Sequence, residues 1–133
     1  PLASPAFIRE RRLKLPEHLA NVPLIQSNVN VVQWSDWFAA FTKQRAPERF
    51  ALRFDRAQMS LEAAAQGVGV ALESAVIAER HLAQGSLKPV FGLAKSIPVK
   101  AHFAVYPARH AKRAPVEAFL TWLHREASKA SKR

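Results

Sequence analysis

The sequence predicts an α/β fold: a mainly parallel sheet with helices on both faces. Three observations carry that expectation. Segments whose apolar residues recur every three to four positions alternate with segments of period two. The stretch from Val68 to Leu72 is nearly continuous apolar sequence, as in a strand covered on both faces. The chain has 133 residues, 49% of them hydrophobic, enough for one domain with a real core.

Each element is justified in turn. Pro16 opens a short helix to Asn21, and Pro23 stops it. Leu24 to Ser27 reads as a strand. In VVQWSDWFAAF, Trp34, Trp37, Phe38 and Phe41 fall on one helical face, with Ser35 or Asp36 as the cap. Phe50 to Phe54 alternates as a strand. Asp55 then suits an N-cap, with Gln58 as its capping-box partner. Leu61, Ala64, Ala65 and Val68 make the buried stripe of the next helix, and Gly67 suits its C-terminal stop. Further on come a helix from Ala75 to Ala83 ending at Gly85, a strand from Leu87 to Phe91, and a strand from His102 to Tyr106. Pro115 opens the last helix, striped with Val116, Phe119, Leu120 and Leu123.

The Gly67-Val68-Gly69 stretch tests for a phosphate loop. It follows a helix and precedes a strand, whereas a dinucleotide fingerprint needs the strand first and a third glycine. These glycines are read as a helix stop and a tight turn. The better anion site is the other end of that helix. There the free N–H groups of Arg56, Ala57 and Gln58 lie beyond a strand end, and Arg56 could pair a carboxylate. The alternative is that Asp55 caps those donors and Arg56 is solvated. The five histidines show no metal spacing. Four read as surface; His102, in a strand, either faces a cleft or, as the commoner case, is a satisfied structural histidine. Glu73 ends the buried strand, either as a site residue or, as the safer reading, an exposed strand end. No nucleophile motif appears, so an enzyme is not expected, nor is any cofactor or metal.

Net charge is +10. It suggests an anionic partner, though charge runs such as Arg9, Arg11, Arg12 and Lys14 are more often a solvated surface. Without cysteine there are no disulfides. No apolar run reaches the roughly 18 residues needed to span a bilayer, and no leader layout is present. The chain begins at Pro1 and is read as a piece of something longer.

Six segments together carry a resemblance: PLASPAF, WSDWF, LRFDRAQMSLEAAAQGVGVALES, LAQGSLKPVF, HFAVYP and PVEAFLTWLHREA. In this order and spacing the chain resembles LysR-type transcriptional regulators, most of all the subgroup of the glycine-cleavage and β-lactamase regulators. The resemblance implies a periplasmic-binding-protein-like (type 2) effector-binding domain, of which residues 1–133 are the C-terminal part. Residues 4–97 would be its second subdomain, 98–107 a crossover strand, and 115–127 a helix packing on a mostly missing first subdomain. It implies a small-molecule effector, anionic in our reading, bound by Arg56, Ala57, Gln58 and His102. It further implies a cytoplasmic homo-oligomer that meets DNA only through a domain absent from this chain, and no membrane. The family usually has a proline where this chain has Glu73-Ser74. Two other functions share some of these features. A solute-binding protein has the same architecture, and a basic nucleic-acid-binding domain has the same charge; the residues upstream of Pro1 and a salt titration separate them.

Overall fold

Ser4 begins the first helix, because its Oγ accepts the N–H of Phe7 and Pro5 needs no donor partner. The computed structural model describes residues 1–100 and 103–130, without the side chains of 129 and 130. Strand β1 is Leu2–Ala3 and helix α1 Pro5–Glu10; a 3₁₀ turn covers Pro16–Asn21 and strand β2 is Leu24–Ser27. Helix α2 is Trp34–Phe41, β3 Leu52–Phe54, α3 Ala57–Ala65 and β4 Val70–Ala71. Helix α4 is Glu79–Gln84, β5 Lys88–Pro89 and α5 Ala114–Ala130. The chain divides into two units, Pro1–Val99 and Lys100–Arg133.

In the first unit the strand order is β3-β2-β4-β1-β5. Strands β3, β2 and β4 run parallel; β1 and β5 join antiparallel. Side chains alternate across this sheet, as a strand's period of two requires. Ala3, Leu24 and Val70 face one core with Phe7, Trp34, Trp37 and Phe38, so α1 and α2 cover that side. Leu2, Ile25 and Ala71 face the other with Leu61 and Ala64 of α3, Ala78 and Leu87. A sheet flanked on both faces is thus the observed architecture.

The turn after α3 answers the glycine question. Gly67 has φ +78°, its N–H donates to Ala64, and Val68 N–H reaches back to Ala63. That pair of bonds closes the helix as a Schellman motif. Gly69 is needed for a different reason: a Cβ there would run into the carbonyl oxygen of Pro23. Val70 N–H donates to that same carbonyl, so the close approach is what admits β4 to the sheet.

Several boundaries differ from the sequence reading. Gln33, not Ser35 or Asp36, is the N-cap of α2, with Asp36 reaching back to the Gln33 N–H at 2.8 Å. Arg56, not Asp55, precedes α3, and no side chain caps its first turn. Val68 is exposed, since the Schellman turn carries it off the helix stripe. Helix α4 starts at Glu79, four residues late, because Ala75–Ala78 is a turn. Residues 103–107 form no strand, and Phe103 and Val105 are exposed. A strand needs a partner, which their alternation alone does not supply.

Candidate functional site

Because β2, β3 and β4 are parallel, their carboxyl ends share one edge of the sheet, the edge where open α/β sheets bind ligands. Strand β2 ends at Ser27, in register with Phe54 at the end of β3. Asn28 N–H donates to the Phe54 carbonyl at 2.8 Å. The β2–β4 register, extended by two residues, brings Glu73 level with Ser27. The third contributor is Ser60, in the first turns of α3. It sits in the buried stripe of Leu61 and Ala64 and is 0% exposed.

These three side chains form a polar cluster with unmet hydrogen-bonding capacity. Ser27 Oγ, Ser60 Oγ and Glu73 Oε1 are shut off from solvent, and none completes a hydrogen bond. Burial pushes the Glu73 carboxyl above its ordinary range, and the Ser27 and Ser60 hydroxyls beside it pull it partly back. The two hydroxyls are therefore the polar groups that stand beside the carboxyl. The contacts between oppositely chargeable groups among the described residues are His81–Glu62 and Arg125–Glu126, so no described cation stands beside Glu73.

Side-chain amides tie down the strand ends around this cluster. Gln26 Nε2 donates to the Ser27 carbonyl at 3.0 Å, and Gln33 Nε2 to the same carbonyl at 3.3 Å. Gln26 also meets the Gln33 Oε1, and Asn30 Nδ2 donates to the Leu72 carbonyl. The loop from Asn28 to Gln33 is thus held over the ends of β2 and β4 by its own amides.

The residues expected from sequence fall beside this cluster in part. Arg56 is the exposed residue before α3, Ala57 its half-buried first residue and Gln58 exposed. Asp55 is exposed, and no side chain caps the first turn of α3. His102 lies outside the described residues. Two expectations need correction. Glu73 is half-buried with one oxygen enclosed, not an exposed strand end. His81, read as surface, is 6% exposed, with Nδ1 3.0 Å from Ser86 Oγ and Nε2 3.5 Å from Glu62. Ser27 and Ser60 were missed. The available signal was a serine inside an otherwise apolar helical stripe, and a polar pair ending an apolar strand. Among the described residues no three acidic or histidine side chains gather to hold a metal.

A depression of about 550 Å³ lies near the far end of α3 against Ser4, Phe7, Gln66, Gly67 and Ser86. Its buried hydroxyl, Ser4, is already spent on capping α1.

The model of the LysR substrate binding domain matches residues 1–128. The chain belongs to the LysR substrate-binding domain family. The HTH-type transcriptional regulator PerR of Escherichia coli (strain K12) is 40% identical over 127 residues, covering 95% of this chain and 42% of that protein. The HTH-type transcriptional activator AmpR of Rhodobacter capsulatus is 29% identical over 123 residues, 92% of this chain and 40% of that one. Among solved structures, the effector domain of the transcriptional regulator AmpR of Pseudomonas aeruginosa matches with TM-score 0.54 and 33% identity, over 68% of this chain and 42% of that one. The regulatory domain of CrgA, a LysR-type regulator from Neisseria meningitidis, shares the fold with TM-score 0.70 and 21% identity, over 94% of this chain and 62% of that one. The chain spans less than half the length of the PerR and AmpR regulators it matches. These matches bear out the family and the periplasmic-binding-protein-like fold read from sequence, and the AmpR matches support part of the subgroup reading. No helix among the described residues is long and apolar enough to cross a membrane.

Proposed function

We propose that this chain is the effector-sensing part of a cytoplasmic LysR-type transcriptional regulator. It performs no chemistry of its own. A small molecule binds at the carboxyl ends of β2, β3 and β4, and its binding energy shifts the regulator between two arrangements. DNA is met through a domain outside this chain, and the working form is a homo-oligomer. One observation carries the reading: two buried serine hydroxyls and an enclosed carboxyl oxygen lack partners at the sheet edge where ligands bind, beside an uncapped helix start. The first turn of α3 and Arg56 favour an anionic group on the effector. The resemblance also assigns His102 to effector binding.

The test uses the full-length regulator, with effector binding read by calorimetry and response by a reporter promoter. Arg56→Ala should weaken an anionic effector roughly ten- to a hundredfold, as loss of a charged hydrogen bond does. Ser60→Val should weaken it without touching the surface charge, and His102→Ala should weaken it too. If all three variants fold and respond like the parent, the site is elsewhere.

A further inference from the structure

Among the described residues Glu73 is an acid without a counter-charge, in a strongly basic chain. The sequence holds 20 Lys and Arg against 10 Asp and Glu, yet none of the described cations stands within ion-pair distance of this carboxylate. One of its oxygens is enclosed without a hydrogen bond. The side chains placed to serve it are Ser27, 4% exposed, and Ser60, 0% exposed, both with unpartnered hydroxyls. Hydroxyls can orient a carboxylate, but they do not neutralise it. Glu73 is half-buried and no described cation offsets its charge, so it stands unpaired for a cation that a ligand brings.

We propose that Glu73 selects an effector bearing a protonated amine or an equivalent cationic nitrogen. This rests on the effector site described above and concerns a different group of the ligand from the one that meets Arg56. An ammonium brings one positive charge and three donors. Half-buried Glu73 is the group an ammonium meets, while Ser27 and Ser60, shut off from solvent, orient the carboxylate from behind. Charge-assisted bonds of this kind are the strong ones, and partial burial keeps water from competing. The raised affinity of the Glu73 carboxyl for a proton points the same way, since a carboxylate that is costly to ionise alone gains most from an incoming cation.

The experiment titrates the full-length protein with ethylamine and putrescine, and separately with acetate and sulfate, by calorimetry and thermal shift. The parent is compared with Glu73→Gln, Glu73→Asp and Arg56→Ala. Glu73→Gln keeps the shape and removes the charge. Amines should bind the parent at millimolar concentration, bind Glu73→Gln roughly ten- to a hundredfold more weakly, and recover in part in Glu73→Asp. Anion binding should not change with Glu73. Equal amine affinity in Glu73→Gln overturns the proposal. So does an absence of amine binding to the parent, which is the result if another part of the protein already supplies the cation. If amines fail while acetate or sulfate binds and is lost in Arg56→Ala, the effector site stands and the amine class falls. If neither probe class responds to either residue, both readings fall.

Discussion

At the scale of single residues, Glu73 is held where its neutral form is the easier one to bury. Its folded pKa lies above the ordinary 4.5, with desolvation as the main cause. The folded state therefore binds this proton more tightly than the unfolded state does. Stability contributed at the site is present below pH 4.5 and is lost as pH rises through the folded value. Glu73→Gln should raise the melting temperature at pH 7, and the gain should shrink as pH falls towards 4.5. An unchanged or lower melting temperature at neutral pH would falsify this account of the carboxyl. The two turn glycines give a second prediction. Gly67→Ala forces a side chain into the left-handed region at a cost of about 1–2 kcal/mol. Gly69→Ala drives a Cβ against the Pro23 backbone, with an overpacking cost of about 1–3 kcal/mol. Urea melts should show both losses, with Gly69→Ala also weakening amide protection of Val70. Sequence reasoning found Gly67 because a helix stop is a local event. It could not see why Gly69 is needed, because Pro23 lies 46 positions away.

At the scale of elements, α2 was the most legible part of the fold and its cap among the least. Four aromatics at helical spacing announce a buried face, and Trp34, Trp37 and Phe38 are all 1% exposed or less. Their polar atoms then fix where the helix docks. Trp34 Nε1 donates to the Ile25 carbonyl of β2 at 2.9 Å, and Trp37 Nε1 to the Lys95 carbonyl at 2.8 Å. Trp37 also stacks on Phe91, with ring centroids 5.9 Å apart. Trp37→Ala should cost about 3–5 kcal/mol, the usual range for emptying a buried aromatic site, and should free the segment around Lys95 in hydrogen exchange. A loss below 1 kcal/mol in a urea melt would mean that α2 does not anchor this side of the sheet. The Gln33–Asp36 cap was missed because glutamine is an uncommon N-cap, so propensity pointed to Ser35 and Asp36 instead. Strand β2 matches its reading, Leu24 to Ser27, whereas β3, β4 and β5 were overextended from sequence, by as much as three residues. Apolar alternation runs on past the point where neighbours are available, and pairing ends a strand sooner than patterning does. The candidate site was half legible for the same reason. Arg56, Ala57 and Gln58 follow from a helix start, whereas Ser27, Ser60 and Glu73 become a group only when β2, α3 and β4 are brought side by side.

At the scale of the whole molecule, both apolar cores are built from residues between Leu2 and Ile97. Every strand of the sheet lies within that span as well. The unit from Lys100 onward adds α5 and a segment whose large apolar side chains face solvent: Phe103, Val105, Phe119 and Trp122 are all exposed. Folding free energy from apolar burial is therefore concentrated in the first unit. The second unit carries surface that a soluble chain tends to cover by association. A chain ended after Val99 should keep one cooperative unfolding transition, with a midpoint in urea close to that of the 133-residue chain. It should also sediment as a monomer under conditions where the 133-residue chain associates. Loss of the cooperative transition on truncation would show that residues after Val99 complete the core rather than extend from it. Association that survives truncation would move the self-contact onto the first unit. In that case the exposed face of α5, with Phe119 and Trp122, is free for the rest of the regulator.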